Sequence, residues 1–270
     1  MNDMTDYGSA TGRVKAWIED AALHVRFNNP AKHNALSVDM WEAIPPLLAR
    51  AADDPAIRLV VFSGEGTKAF VSGADISQFE DLRAMRDAVR KYEVIAEAAL
   101  QGIAEFPKPT IACIRGYCIG GGLNVAIGCD IRIAASDAVF SVPATRLGLG
   151  YRLSAMKNLT DLVGPGHAKD IFFTARRIDA EEALRIGLVS RVAHAIALPK
   201  LLDEYVQAIA AGAPLTIKAG KRIIREVLKA PADIDTELCR RLILDCFESE
   251  DYAEGRRAFM EKRKPVFKGR

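Results

Sequence analysis

Clusters of metal ligands are missing from this chain of 270 residues. It has four histidines and five cysteines: Cys113, Cys118, Cys129, Cys239 and Cys246. None forms Cys-x-x-Cys, and no two histidines stand at a ligand spacing, so no metal site is expected. An odd number of cysteines, mostly in apolar runs, reads as small reduced core residues in a cytoplasmic protein. Charge of one sign is also lacking: 37 Lys and Arg face 35 Asp and Glu, a net charge of +2. That balance argues against a general nucleic-acid binder and leaves room for a local basic patch. Nor is there a long apolar run. Ile111 to Ile133 comes nearest, but Arg115, several glycines and Asp130 interrupt it, so no membrane span is expected. Met1 to Arg13 is polar and acidic and carries no apolar core of a secretory signal.

What is present is an ordinary globular balance, 50% hydrophobic and 27% charged, long enough for one large domain with an appendage. Val14–Ile18 and Leu23–Phe27 read as a hairpin. Ser37 reads as the N-cap of a helix to about Ala52, which Pro45-Pro46 should kink or split. Ile57–Phe62 is a buried strand, and Ser63–Ile76 reads as loop. A helix follows from about Arg83 to Glu105, then a buried strand Thr110–Ile114 and a short helix Gly120–Gly128. Ile131–Ala134 and Ala138–Phe140 read as short strands. Helical patterns continue at about 153–163, 166–173, 180–186, 198–212, 214–229, 233–248 and 250–263. Alternating strands and helices over 1–195 imply a mixed α/β core with crossovers, and 196–270 an all-helical region. The apolar faces of that region need a core or another subunit to cover them.

Two stretches carry the chemistry. They are Lys68 to Ile76 (KAFVSGADI) and Lys108 to Asn124 (KPTIACIRGYCIGGGLN). In each, an apolar run ends in small residues where a turn begins. Two such turns side by side can each aim a backbone N–H at one point, which is what an oxyanion needs. The second turn leads into a helix, whose N-terminus adds partial positive charge. The pattern points to an enzyme that stabilises an enolate or related anion. Gly64-x-Gly66 lacks the helix and the spaced acid of a dinucleotide turn. His24 and His167 read as packing or surface residues.

Several spaced motifs together resemble the crotonase (enoyl-CoA hydratase/isomerase) superfamily over about residues 13–267. They are Asn28 to Ser37 (NNPAKHNALS), Gly64 to Ile76, Lys108 to Asp130, Phe173 to Leu184 with Gly187 to Val189, and Phe259 to Pro265 (FMEKRKP). The resemblance implies a ββα spiral core with a C-terminal helical trimerisation region. It implies a homotrimer or dimer of trimers, an acyl-CoA thioester as substrate, and no cofactor beyond the CoA moiety. The oxyanion hole it implies is the N–H of Ala74 and the N–H of Gly121. Ser72, Asp75 and Ile76 would line the same loop along the CoA arm. Lys32, His33 and Ala35 would lie near the nucleotide end. Phe259 and Lys262 of a neighbouring subunit would meet adenine and phosphate. Lys32, Lys68, Lys262 and Arg263 would form the basic patch.

The match departs at the acid/base positions. Family hydratases carry a glutamate two positions after the triple glycine, where this chain has Asn124. They carry a second after a Phe-x-x-Pro turn, where Phe140 to Pro143 is followed by Ala144. Neither side chain exchanges a proton near neutral pH, although Asn124 can orient water or a carbonyl. In Leu147 to Leu153 (LGLGYRL), Arg152 stands where dehalogenase members place an aspartate nucleophile. Tyr151 stands where a methylmalonyl-CoA decarboxylase of the family has a tyrosine beside its substrate. Arg146 or Arg152 would hold a departing carboxylate, or pair with acids elsewhere. Three readings follow: hydration by a non-standard acid/base set with Asn124 and Tyr151, decarboxylation of a malonyl-type thioester, or acyl-CoA binding without chemistry.

Overall fold

Period-two burial in the central strands sets the architecture. The computed structural model describes residues 5–9, 11–75 and 82–270. Ile76 lies outside the described residues. The chain opens with β1 (Thr5–Asp6), β2 (Val14–Glu19), β3 (Ala22–Phe27) and α1 (Val38–Asp53). It then makes successive passes of strand, short strand and helix. The first is β4 (Leu59–Gly64), β5 (Ala69–Val71) and α2 (Leu82–Glu105). The second is β6 (Thr110–Ile114), β7 (Tyr117–Ile119) and α3 (Gly121–Gly128). The third is β8 (Ile131–Ala135), β9 (Val139–Ser141), the short α4 (Ala144–Leu147) and α5 (Leu153–Thr174). β10 (Ile178–Asp179), α6 (Ala180–Arg185) and β11 (Arg191–Ala193) close this part. Four helices follow: α7 (Leu198–Ala210), α8 (Pro214–Val227), α9 (Thr236–Phe247) and α10 (Glu250–Met260).

The first strand of each pass joins a seven-stranded sheet ordered β1-β2-β3-β4-β6-β8-β11. The second joins a four-stranded sheet ordered β10-β9-β7-β5. From β3 to β11 neighbours in the large sheet run parallel, so a crossover must link each pair. The result is a ββα spiral. Leu59–Phe62 is apolar throughout because both faces are covered. Val60 and Phe62 enter the main core with Trp41, Ile44, Phe70 and Leu123. Leu59 and Val61 face the other way, with Ile111 and Ile133, under Leu198 and Val206 of α7.

Several expectations are corrected. The span Ser63–Ile76 contains β5 and is not all loop. The strand expected to begin at Ile57 begins at Leu59. β7, β10, β11 and α4 have no counterpart in the sequence pattern, because two to four residues carry no periodicity. α1 runs unbroken through Pro45 and Pro46, so the proline pair does not split it. Met40, Trp41, Ile44, Leu47 and Leu48 bury one face of α1 while Pro46 lies exposed, and that packing offsets two missing N–H donors. The expected break near residue 164 is present: Gly164 has φ 74° and ψ 163°, dividing α5 into two helices. α9 starts at Thr236 because Pro231–Asp233 forms a separate 3-10 turn. No helix among the described residues is long and apolar enough to cross a membrane.

Candidate active site

The two small-residue turns lie against each other, and local chemistry explains why. Gly73 (φ 119°) precedes Ala74, and Gly120 (φ 52°) precedes Gly121. Both φ values lie where a side chain is disfavoured, and each turns the following amide away from its strand. Leu36 then clamps the first turn. Its N–H donates to Gly73 O at 2.8 Å, and its carbonyl accepts from Asp75 N at 2.9 Å. This bridge uses both neighbours of Ala74 and skips the Ala74 N–H. The Gly121 amide belongs to the first turn of α3, where helices leave donors unpaired. Among the described residues neither amide has a hydrogen-bond partner. A Cβ on Gly121 would stand 3.9 Å from Ala74 N and 3.6 Å from Trp41 Cζ2. Two free main-chain donors thus meet at a helix N-terminus, an arrangement suited to an oxygen gaining negative charge.

The Asn28–Ser37 segment builds the support. His33 and Asn34 both adopt positive φ. Asn34 is 1% exposed; its amide nitrogen donates to Glu65 O at 3.0 Å and Ala69 O at 2.8 Å, pinning the segment to β5. Ser72 N donates to His33 O at 3.1 Å, and Ser72 Oγ to Lys32 O at 3.2 Å. Lys32 Nζ meets both oxygens of Asp75, at 3.0 and 2.9 Å. The structure therefore gathers Lys32, His33, Ala35, Ser72 and Asp75 around Ala74. Phe259 and Lys262 instead stand exposed at the end of α10. Arg263 is held by Glu254 and Glu261, each at 2.6 Å.

On the other side of Gly121, Tyr151 donates its O–H to Asn124 Oδ1 at 2.7 Å. Burial pushes the Tyr151 phenol up to about 12, so it stays protonated through neutral pH. Its ring packs edge-on against Phe172 at 5.5 Å. Asn124 is 6% exposed; its main-chain N–H donates to Gly120 O at 3.0 Å, while its side-chain nitrogen has no protein acceptor among the described residues. Ala144 is buried at the start of α4. Arg152 does not stand free: its Nε lies 2.7 Å from Glu93 Oε2 and 3.4 Å from Glu97 Oε2. Trp41 donates its indole N–H to Tyr92 Oη at 2.7 Å. Leu36 lies within the Asn28–Ser37 motif, though nothing there marks its bridge to Ala74; Trp41, Tyr92 and Glu97 lie outside every motif, and only the packing of α1 and α2 shows where they stand. His24 lies in β3, and burial lowers its pKa. Among the described residues no group of three or more His, Cys, Asp or Glu is placed to hold a metal ion.

Known proteins are similar to this chain along most of its length. The enoyl-CoA hydratase/isomerase family profile matches residues 18–270. The short-chain-enoyl-CoA hydratase of Clostridium acetobutylicum is 36% identical over 242 residues, covering 89% of this chain and 91% of the relative. The carnitinyl-CoA dehydratase of Citrobacter koseri is 34% identical over 252 residues, covering 92% of this chain and 95% of the relative. An enoyl-CoA hydratase/isomerase family protein from Hyphomonas neptunium superimposes with a TM-score of 0.91 at 38% identity, covering 97% of this chain and 100% of that one. The chain belongs to the enoyl-CoA hydratase/isomerase family, with the crotonase fold.

Proposed function

We propose that this protein adds water to, or eliminates it from, an acyl-CoA thioester through an enolate held by the N–H groups of Ala74 and Gly121. The observation that carries the reading is the pair of unbonded amides meeting beside the N-terminus of α3. Fixed donors in a dry site stabilise the developing negative oxygen more than the neutral ground-state carbonyl. The hydratase and dehydratase names of the relatives support water as the other reactant. Asn124 and Ala144 stand where family hydratases carry glutamates. Asn124 and the protonated Tyr151 are then the polar groups nearest the reacting carbons. Lys32, His33, Ala35, Ser72 and Asp75 flank the CoA arm. No cofactor beyond CoA enters the scheme.

Phe259 and Lys262 reach a site by serving a neighbouring copy, in a homotrimer or a dimer of trimers. Exposed Ile224 and Val227 of α8, Leu228 just after it, and Ile243, Leu244 and Phe247 of α9 support such a contact. The five unpaired thiols fit a reducing, cytoplasmic setting.

Crotonyl-CoA tests the reaction: its enoyl absorbance should fall with enzyme and reappear from 3-hydroxybutyryl-CoA. No change in either direction would reject hydration. One observation favours a second reading. A phenol kept protonated beside Asn124 can return a proton to an enolate formed by loss of CO₂, so methylmalonyl-CoA releasing CO₂ would instead identify a decarboxylase.

A further inference from the structure

A carboxylate stands near Asn124 that the family's glutamate positions do not supply. Glu97 of α2 and Asn124 of α3 line one cavity of about 320 Å³, together with Ser154 and Asn158 of α5. The Glu97 side chain is 40% exposed, yet Oε2 is closed to solvent and accepts no hydrogen bond among the described residues. Arg152 Nε carries a single hydrogen, and it goes to Glu93 Oε2 at 2.7 Å. Glu97 Oε2 therefore feels the Arg152 charge at 3.4 Å and keeps its lone pairs. A buried acceptor without a donor is costly and rare, and such groups concentrate at functional sites. Lining the same cavity, the side-chain nitrogen of Asn124 has no protein acceptor among the described residues. A water between them would satisfy both, accepting from Asn124 and donating to Glu97. The cavity has room for several waters, at about 30 Å³ each.

We propose that Glu97 is the proton-exchanging carboxylate of this enzyme, acting from α2 on a water oriented by Asn124 in the cavity they share. The proposal rests on the enolate reading of the Ala74–Gly121 site. In hydration, Glu97 takes a proton from the water as the water oxygen bonds to the β-carbon. The C=C pair moves through the α-carbon to the thioester oxygen. The protonated Glu97 then gives its proton to the α-carbon as the carbonyl reforms. One H and one OH are added, and the carboxylate is regenerated. A single carboxylate thus acts first as base and then as acid.

Two assays on wild type, Glu97→Gln, Glu97→Asp and Glu93→Gln separate this proposal from the reaction assignment. The first is crotonyl-CoA hydration. The second is exchange of the α-protons of butyryl-CoA in D₂O, which needs the oxyanion site and a base but no double bond. Glu97→Gln should lower kcat and the exchange rate by about 100-fold or more, with KM changed less than about threefold. Glu97→Asp should recover part of both rates, and Glu93→Gln should keep each within about threefold of wild type. Exchange that depends on Glu97 in an enzyme that hydrates nothing would uphold Glu97 and reject hydration. Full rates in Glu97→Gln would overturn the proposal while leaving the oxyanion reading intact. Equal losses in Glu93→Gln and Glu97→Gln, with matching falls in Tm, would show only an ion pair bracing α2 against α5 and would also overturn it. Absence of exchange in wild type would overturn it as well.

Discussion

Replacing Gly122 by alanine tests how tightly the oxyanion geometry is coupled to packing. The helix α3 begins by pressing its first turn on β5. A Cβ at residue 122 would lie 2.3 Å from Val71 O and 2.6 Å from Val71 Cβ. Ordinary contact begins near 3.4 Å, so the start of α3 must retreat from β5 by about 1 Å. Both obstacles belong to the backbone or its first side-chain atom, so no rotamer change relieves them. Gly121 is the adjacent residue, and Ala74 is three residues beyond Val71 on the other side of the contact. The retreat therefore widens the gap between the two amides. Overpacking of this kind costs about 1–3 kcal/mol, which for a chain of this size lowers Tm by about 2–10 °C. A shift of about 1 Å in a preorganised site costs roughly 100-fold in rate. The expectation is a folded Gly122→Ala protein with lower Tm and kcat/KM for crotonyl-CoA reduced about 100-fold. Circular dichroism melting and the absorbance assay read both. A variant with unchanged Tm and unchanged kcat/KM would refute the link between the α3–β5 contact and the oxyanion site.

Other side chains give sharper contrasts. Tyr151→Phe removes the hydrogen bond to Asn124 and should lower turnover about tenfold or more with little change in thioester affinity; isothermal titration beside steady-state kinetics separates the two. Asn124→Ala should reduce kcat by a larger factor than His167→Ala, because His167 lies outside the cleft; the reverse order in parallel kinetics would discredit the pocket. Burial holds the Tyr151 and Tyr92 phenols up at about 12. Each contributes stability that is full below the free phenol value of about 10 and is lost as pH rises through about 12. Ultraviolet titration should find these two tyrosines ionising last, and Tyr151→Phe should flatten the alkaline fall of Tm.

Much of this architecture was legible in the residues, and the limits have physical causes. Leu59–Phe62 announced a strand covered on both faces, and Gly120-Gly-Gly122 announced a tight entry to a helix. Three-residue strands such as Ala69–Val71 have no room for a period, so β5 hid within an expected loop. The Leu36–Ala74 bridge is set by tertiary packing across 38 positions and has no signature in either segment. Pro45-Pro46 misled because burial of one face of α1 outweighed local propensity. Asn124 and Tyr151 stood out as candidates, yet their bond, spanning 27 positions, follows from α5 folding back on α3. Glu97 gave no signal among the acids of α2; only the cavity between helices distinguishes it.

The most direct measurement is a crystal structure with a slowly reacting acyl-CoA thioester bound. The account predicts the thioester oxygen at about 2.7–3.1 Å from the nitrogens of both residue 74 and residue 121, with the acyl carbons beside Asn124. A thioester carbonyl seated away from either amide, or a cleft that stays closed to the ligand, would contradict it.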